Sequence, residues 1–451
     1  MRALRFVIVL VAVFGSMAAF ATDARVESMG KSARFIMDDM SIFDNPSNIN
    51  LYPNFLIGEL GVYNGSRADN IKSGQNQDPW DPWFGGLFSL DIGGGVALSI
   101  GGVLGRKDER LLKYFPDFIR VPTNQANEYI DHETPIPVTN FDGFLGASFG
   151  NTATGLHIYI AHQGGITNDG VITKDAFASA LQLDGGVNIE LSRDYQLEVA
   201  AGVARIQYGP SSHALFDTKL LSEFLSARFF KRINAIEGHL IPVVSVRNMH
   251  APGRSEVDVN LGAGVDTKFE RGFFWLGLVG FYNVQKAGEN LQWDYMGPID
   301  TTASADERAR GTYFRDLDDG GWGPGAKARL QQIGGIISFG IERNLWWDWF
   351  VMRVGGQKVI SYASYKKSDD AELSVLCPSA PNGIACDKNG SYFVTNPVSD
   401  GTNEDNVGFG FGVNIEEKLK IDFAVSEDFP FRNPFQGGTR WISKISATYS
   451  F

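Results

Sequence analysis

Alternation of apolar and polar residues, repeated along most of the chain, is the feature that most constrains its fold. From Leu181 to Leu191, for example, Leu, Val and Ile alternate with Gln, Asp, Asn and Glu. The side chains of a strand point alternately to its two faces, so each such segment predicts a strand with one apolar face. About sixteen segments show this pattern: 55–63, 84–92, 96–104, 141–150, 155–163, 181–191, 195–203, 223–231, 239–247, 257–265, 273–284, 330–342, 350–362, 407–415, 419–425 and 441–451.

The connections between these segments alternate in length. Short turns lie near Gly93, Asn151, Arg193, Asn234, Arg271, Asn344 and Lys418, and mostly long polar stretches separate them, notably 106–139, 286–325 and 366–404. Short periplasmic turns and longer external loops are typical of outer-membrane barrels, whereas a soluble β-sandwich is not expected to sort its connections by length. The sequence therefore predicts an all-β fold, a transmembrane antiparallel β-barrel of 14–16 strands over residues 53–451. Trp346, Trp347 and Trp349 at one short turn are expected in its aromatic girdle.

The last predicted strand ends on the final residue, Phe451. Trp441, Ser443, Tyr449 and Phe451 are expected on one face, and Lys444 on the opposite, inward face. A carboxylate beside a terminal aromatic residue suits a membrane–water interface. The alternative is an ordinary edge strand of a soluble β-domain. A closing strand with a terminal aromatic residue resembles the insertion signal of outer-membrane barrels, which implies the barrel-assembly machinery as a partner.

The first 21 residues have the pattern of a secretory signal peptide. Two arginines precede an apolar run over 6–14, and Ala19-Phe20-Ala21 fits the small-x-small cleavage site. No later apolar run approaches the roughly 20 residues of a membrane helix. Export and the barrel pattern together predict the outer membrane of a Gram-negative bacterium, with membrane lipid around the chain. The formal net charge of −12 argues against a nucleic-acid partner.

Residues 22–52 contain apolar stretches without strand alternation and a turn signal near their end. The elements Met29-Gly30, Asp38-Asp39, Ser41 and Asn45-Pro46 follow one another here. In that order they resemble the N-terminal plug of the FadL-like outer-membrane transporters, which carry long-chain fatty acids and other hydrophobic compounds. Lys31 replaces the second glycine of the family pattern, and Ser47-Asn48 replaces Ala-Gly. The resemblance implies a plug segment inside a barrel of fourteen strands, with Phe35, Asp38, Asp39, Asn45 and Pro46 among the plug residues.

The predicted strand over 273–284 is apolar on both faces, although one face must point into the lumen. Water against an apolar lumen face would cost roughly 25 cal/mol per Å². This face is therefore expected to contact residues 35–43 or a bound hydrophobic small molecule. The four candidate ligand-binding residues are Phe273, Trp275, Val279 and Phe281. Cationic partners for Asp38 and Asp39 are available on the inward faces of the last two strands: Arg440, Lys444 and Lys420.

Few residues suggest covalent chemistry or metal binding. Cys377 and Cys386 lie close together in one long loop of an exported chain, so we expect a disulfide, with two unpaired thiols as the alternative. Asp316, Asp318 and Asp319 do not have EF-hand spacing and are interpreted as solvated loop charge. His157 and His162 are five residues apart and should face opposite sides of a strand. No catalytic residue, metal or cofactor is expected.

Three functions remain open from the sequence. The first is passive uptake of hydrophobic compounds such as long-chain fatty acids through a plugged lumen. The second is a water-filled general porin. The third is a non-transporting scaffold or secretion-shuttle barrel similar to PorV. The apolar lumen face over 273–284 favours the first and third functions over the porin, and the sequence does not separate those two.

Overall fold

Nineteen β-strands make up most of the computed structural model, which describes residues 23–30, 33–52, 54–61, 81–112, 114, 118–122, 129–133, 139–168, 173–210, 218–251, 254–287, 328–367, 391–394, 406–416, 418–425 and 442–451. In chain order they are β1 (Phe55–Gly61), β2 (Asp81–Gly93), β3 (Val96–Leu104), β4 (Phe118–Pro122), β5 (Tyr129–Glu133), β6 (Thr139–Phe149), β7 (Thr152–Asn168), β8 (Thr173–Ser192), β9 (Tyr195–Pro210), β10 (Thr218–Ile233), β11 (Gly238–Ala251), β12 (Arg254–Phe269), β13 (Gly272–Ala287), β14 (Ala328–Asn344), β15 (Phe350–Lys367), β16 (Ser391–Val394), β17 (Asn406–Ile415), β18 (Leu419–Val425) and β19 (Ile442–Ser450).

Helical structure in these residues is limited to short elements. They are α1 (Asp23–Ser28), α2 (Glu109–Leu112) and 3-10 turns at Ala33–Phe35, Asp39–Phe43, Pro46–Asn50 and Asn234–Ile236. Within the described part of the chain, none of the helices has the length and apolarity needed to cross a membrane.

Sixteen of the strands form a closed antiparallel barrel. Successive barrel strands pair with each other, and β1 closes the ring by pairing with β19 on one side and β2 on the other. β15 pairs directly with β17, and the four-residue β16 is a further partner of β15. β4 and β5 form a separate hairpin. Each strand predicted from alternation is present, and the barrel has sixteen strands rather than the fourteen that the family resemblance implies.

The outer surface of the barrel is a belt of exposed apolar side chains. On β8, Leu181 and Leu183 are 47% and 53% exposed, whereas Gln182 and Asp184 are buried in the interior. On β17, Val407 is 65% exposed. A continuous apolar surface of this size is unusual for a water-soluble monomer and is the lipid-facing pattern of a transmembrane barrel. The outward faces predicted for β8 and β17 are confirmed.

The seven predicted short turns all lie at one rim of the barrel, together with the C-terminus. The backbone N–H of Phe451 donates to the carbonyl oxygen of Asn54 over 3.0 Å, which joins the C-terminus to the start of β1. The ring of Phe451 is exposed and lies 5.5 Å from the ring of Phe88. In the β14–β15 turn, the exposed rings of Trp347 and Trp349 stack at 5.2 Å. This rim therefore presents aromatic residues at the level expected for a membrane interface.

The N-terminal end of β19 contains a β-bulge, which the alternation of the sequence did not predict. Lys444 pairs with Ala424 and Ile442 pairs with Val425, so Ser443 has no partner residue opposite it. A bulge interrupts the period of two, and here Ser443 and Lys444 both point into the lumen. The expectation that Ser443 faces outward is therefore wrong.

Candidate functional site

Residues 23–30 and 33–52, which we call the N-terminal segment, lie inside the barrel. Met29 and Ile49 are fully buried, and Phe35 is 1% exposed. Helix α1 contacts β15, β17 and β18. The first 3-10 turn contacts β12 and β13, and the last one contacts β6, β7 and β8 on the opposite side of the ring. The segment therefore crosses the lumen from one wall to the other before the chain enters β1.

Inward-facing glycines let the N-terminal segment approach the wall closely. A Cβ atom on Gly408 would overlap the carbonyl oxygen of Glu27, and one on Gly355 would overlap the backbone of Met29. A Cβ atom on Gly410 would lie 2.5 Å from the Cβ of Ser28. The glycines that alternate with the lipid-facing residues of β17 thus form the groove that holds α1.

Buried ion pairs fix α1 against the wall. Arg25 Nε donates to Glu342 Oε2 over 2.7 Å, and Arg353 Nε donates to the same oxygen over 2.6 Å. Arg353 also pairs with Asp422 over 2.7 Å, and neither of those two side chains is exposed. Removing one partner of a buried pair leaves an uncompensated charge, which is strongly destabilising. The Arg25–Glu342 pair therefore fixes α1 against β14, and the two pairs of Arg353 lie within the wall itself.

Glu27 provides a second attachment, to the closing strand. Lys444 Nζ lies 3.0 Å from Glu27 Oε2, and Ser443 Oγ donates to Glu27 Oε1 over 2.9 Å. The bulge in β19 makes this double contact possible because it turns two consecutive side chains inward. Lys444 was predicted as a partner of Asp38 and Asp39, and it pairs with Glu27 instead.

An apolar cluster lies at the centre of the lumen between the N-terminal segment and β13. Phe35 and Ile36 pack with Phe230, Ile241 and the inward face of β13. The rings of Phe35 and Trp275 stack at 6.0 Å. Trp275, Val279 and Phe281 belong to this cluster, and Phe273 packs against its edge. Of these four predicted ligand-binding residues, Trp275 stacks directly on the N-terminal segment, and the role of all four toward a ligand stays a prediction.

Asp38 and Asp39 are buried carboxyls in the same segment, 3% and 1% exposed. Neither accepts a hydrogen bond from any residue in the described ranges. Burial raises the pKa of Asp38 to about 6, although Arg25 Nη1 lies 3.9 Å away and opposes the shift. Burial, followed by the neighbouring Asp38, also raises the pKa of Asp39 well above its usual range. Lys420 is close enough for its charge to oppose both shifts, and Arg440 lies outside the described residues.

Asn45 and Pro46 make the turn that lies against β7 and β8. Asn45 Oδ1 accepts from the backbone N–H of Ser47 over 3.1 Å and from its hydroxyl over 2.8 Å. A Cβ atom on Gly155 would overlap the backbone of Pro46, and one on Gly186 would overlap the side chain of Asn45. The Asn-Pro turn signal therefore marks a capped 3-10 turn that is closely fitted to the wall.

A buried polar network on the inner wall was not identified from the sequence. His157 lies between two carboxylates, with Nδ1 2.8 Å from Asp184 Oδ2 and Nε2 2.9 Å from Asp142 Oδ1. Its ring stacks on Phe144 at 4.5 Å. His162 faces outward on the same strand, as predicted. The pairing register of β7 with β8 could have identified one of these contacts, because residue 157 lies directly opposite residue 184.

After β3 the chain turns inward as a strap, which we define as residues 105–112 together with residue 114. Arg106 Nη2 donates to Asp142 Oδ1 over 2.6 Å, and its guanidinium carbon lies 3.8 Å from the ring centre of Phe43. Arg110 donates to Asp44 Oδ1 and to the carbonyl oxygen of Phe43, each over 3.0 Å. The strap therefore links the barrel wall to the N-terminal segment.

The charges of the strap are strongly coupled. Burial alone would raise the pKa of Asp108, but Arg110 and Arg106 hold it well below its usual range. Burial opposes the charge of Arg106, but Asp142 and Asp108 outweigh that effect and raise its pKa. Arg106, Asp108 and Arg110 therefore stay charged at neutral pH.

A cavity of about 190 Å³ lies between the N-terminal segment, the strap and strands β9–β12. Arginines from three parts of the chain line it: Arg34 from the segment, Arg110 from the strap, and Arg228 and Arg247 from the wall. Arg228 pairs with Glu198 over 2.6 Å, and the guanidinium of Arg247 lies 5.6 Å from the ring centre of Phe224. The cavity is therefore a charged compartment with one aromatic face.

Comparison with known proteins gives similarity to solved structures only. No family model matches the chain, and no curated protein matches it. CdiB from Escherichia coli is similar at 9% identity and a TM-score of 0.40, with 89% of this chain and 63% of that chain covered. CdiB from Acinetobacter baumannii is 10% identical at a TM-score of 0.38, with 88% and 59% covered. The chain thus spans about three fifths of the length of these two proteins.

A third solved structure is matched over nearly its whole length. The structure described as the TodX monoaromatic hydrocarbon channel deltaS2 mutant is 9% identical at a TM-score of 0.33, with 95% of this chain and 98% of that chain covered.

Cys377 and Cys386 lie outside the described residues, so their pairing stays a prediction.

Proposed function

We propose that the protein is an outer-membrane channel for passive uptake of hydrophobic compounds such as long-chain fatty acids, with the N-terminal segment as its plug. The observation that carries this proposal is the segment itself, which fills the centre of a lipid-exposed barrel and is held on both walls. A lumen closed in this way excludes free diffusion of water-soluble molecules. Passage then requires the N-terminal segment to move. A hydrophobic ligand could cause this movement by competing for the apolar contacts between the segment and the wall.

The polarity of the inner wall changes along the barrel axis, and this change is consistent with an amphipathic or apolar transported molecule. On the loop side of β9–β11, Ile206, Leu220 and Met249 face inward. Further down the same strands lie Arg247 and the charged cavity. Below the cavity, the wall contacts Phe35 through the central apolar cluster. An apolar molecule would therefore meet two apolar zones separated by one charged zone.

Two features of the N-terminal segment support membership of the FadL-like family. Gly30 has a positive φ of 89°, and a Cβ atom there would lie 2.7 Å from the backbone nitrogen of Gly356. Asn45 caps the turn at Pro46. Gly30 of the Met-Gly element therefore lies at a position that favours glycine, and Asn45 of the Asn-Pro element lies at a helix-capping position. We further propose that residues 1–21 are a signal peptide and that the mature plug comprises residues 22–52.

A non-transporting scaffold is the second candidate. The observation that favours it is the close fit of α1 and Met29, which combines buried ion pairs with glycine contacts on β15 and β17. Releasing α1 from the wall would therefore require a large free energy. An open general porin is disfavoured because the N-terminal segment lies within the lumen.

The test is transport by the full-length mature chain in proteoliposomes. We expect oleate to enter the vesicles faster than in protein-free controls, while a polar solute of similar mass does not cross. Entry of neither compound would favour the scaffold, and entry of the polar solute alone would favour the porin.

A further inference from the structure

Helix α1 lies on the inner side of the place where the first and last strands of the barrel meet, which we call the seam. β1 and β19 pair there from Phe55 with Ser450 to Gly61 with Lys444. In the described part of the chain β1 is seven residues long, whereas β8 is twenty residues long. The backbone hydrogen bonds that close the ring are therefore fewer than those between β8 and β9.

On the β19 side of the seam, Glu27 holds α1. Its two carboxylate oxygens contact Ser443 and Lys444, as described above. The alkyl part of Lys444 lies against β1, because a Cβ atom added to Gly61 would lie 2.6 Å from Lys444 Cγ. Lys444 therefore covers the seam from the lumen side while its ammonium group contacts α1.

On the β1 side of the seam, Glu59 holds α1. The backbone N–H of Ala24 donates to Glu59 Oε2 over 3.3 Å, and Trp83 Nε1 of β2 donates to Glu59 Oε1 over 3.1 Å. Ala24 is fully buried, and Glu59 is 5% exposed. A buried carboxylate that loses a donor keeps the cost of its desolvation, so release of Ala24 from Glu59 is unfavourable.

The same helix also contacts the wall further from the seam on the β19 side. Arg25 pairs with Glu342 on β14, and Ser28 lies against Gly410 on β17. Although α1 has only six residues, it contacts strands on both sides of the seam. Separation of β1 from β19 would have to break one of these two sets of contacts.

We propose that α1 has a second function, which is to hold the seam between β1 and β19 closed from within. We call this arrangement the clasp, and it comprises two buried contacts: Glu27 with Ser443 and Lys444, and Ala24 with Glu59. Helix α1 can make both contacts at once only when β1 and β19 lie side by side. Docking of α1 is therefore the last step of barrel closure. The clasp needs no cargo, so it is independent of the proposed transport function.

Docking of α1 and closure of the seam are thermodynamically linked. If docked α1 favours the closed seam, the closed seam favours docking of α1 by the same factor. Other attachments of the N-terminal segment lie elsewhere on the wall, such as the pair of Arg110 with Asp44. Loss of such an attachment is expected to loosen the segment locally without opening the seam.

Hydrogen exchange of the mature chain in lipid nanodiscs tests the proposal. Glu27→Gln keeps the shape of the side chain but removes the negative charge beside Lys444. Exchange of residues 55–61 and 442–450 should then accelerate by about 10-fold or more, whereas exchange of residues 195–203 should not change. A general loss of barrel stability would instead accelerate exchange in all three ranges.

Arg110→Gln is the matched control, because it also removes one charged attachment of the N-terminal segment. It should accelerate exchange of residues 39–49 and leave residues 55–61 and 442–450 unchanged. Unchanged exchange of the two seam strands in Glu27→Gln would overturn the proposal. Equal acceleration of the seam strands in Glu27→Gln and Arg110→Gln would also overturn it.

A disulfide across the seam provides a second test. Gly58 and Ala447 are paired on the outward faces of β1 and β19, and a Cβ atom on Gly58 would meet nothing closer than 3.8 Å. Gly58→Cys with Ala447→Cys should therefore form a cross-link, in a chain whose native cysteines are replaced by serine. After oxidation, exchange of the seam strands should no longer respond to Glu27→Gln.

The control for the cross-link is a second cysteine pair away from the seam. Gly280 and Gly335 are paired on the outward faces of β13 and β14. Gly280→Cys with Gly335→Cys should leave the response of the seam strands to Glu27→Gln intact after oxidation. A response of the same size with either disulfide would contradict the clasp.

Discussion

The ring of Phe35 stacks on the ring of Trp275 at 6.0 Å with an angle of 30° between their planes. Phe35 comes from the N-terminal segment and Trp275 from β13, so this contact joins the segment to the wall at the centre of the lumen. The inward faces of Gly264 and Gly277 leave the space that the Phe35 ring occupies. The contact therefore depends on one aromatic pair and two glycines on adjacent strands.

Replacing Gly277 by alanine should loosen the N-terminal segment. A Cβ atom at this position would overlap the Phe35 ring, and overpacking of this kind typically costs about 1–3 kcal/mol. Hydrogen exchange of residues 33–49 should accelerate accordingly. Gly280→Ala on the opposite face of β13 is the control, because the nearest atom to its Cβ would be 3.7 Å away. Equal exchange in the two variants would contradict the assigned position of Phe35.

Arginine at neighbouring positions of β17 should act in two different ways. Phe411 faces the lipid, so Phe411→Arg should cost about 2–4 kcal/mol if the residue lies near the bilayer midplane. Gly410→Arg should instead displace Ser28 and α1 from their groove. Unfolding in detergent–denaturant mixtures reports the first effect, and protease cleavage within residues 23–50 reports the second. Negligible effects at both positions would count against the barrel orientation.

Docking of the N-terminal segment should weaken as the pH rises through about 6. Asp38 has a raised pKa in the docked state, so that state binds more protons than the released state between about pH 4 and 6. The contribution of Asp38 to docking is then largest below about pH 4 and falls by on the order of 1–3 kcal/mol by neutral pH. Hydrogen exchange of residues 33–49, corrected for the intrinsic pH dependence of amide exchange, measures this change.

Asp38→Asn combined with Asp39→Asn is the matched variant for the pH experiment. It should remain docked across the range because neither amide titrates. A pH profile identical to that of the unmodified chain would exclude these two carboxyls as its origin. The charged groups that act on Asp38 or Asp39 are Arg25, Asp44, Arg228, Lys420 and Asp422.

The sequence predicts the barrel well because strand alternation and turn length are local properties. The sixteen strands, their short turns and the lipid-facing residues of β8 and β17 all follow from a period of two. Ser443 was misplaced because a bulge shifts this period by one residue, and alternation alone does not reveal a bulge. The strap was missed because Arg106 and Arg110 lie in a loop, where no period exists. The partners of His157 required strand register, which fixes Asp184 opposite it.

Removing the aromatic C-terminus should block assembly. Phe451 is the exposed end of the closing strand at the aromatic rim, and its backbone N–H is paired to Asn54. Deletion of Phe451, or Phe451→Asp, should leave the chain in the periplasm. Membrane fractionation with a heat-modifiability assay measures insertion. Normal insertion of both variants would refute the role assigned to this residue.

Deleting residues 24–44 from the mature chain tests most directly whether the N-terminal segment closes the lumen and controls passage. The measurement is release of a small polar dye from proteoliposomes, together with entry of oleate, for the full chain and the deletion. We predict that the deletion releases the dye much faster than the full chain and alters oleate entry, because the lumen loses its filling. Unchanged dye release and unchanged oleate entry would contradict this account and favour a barrel that transports nothing.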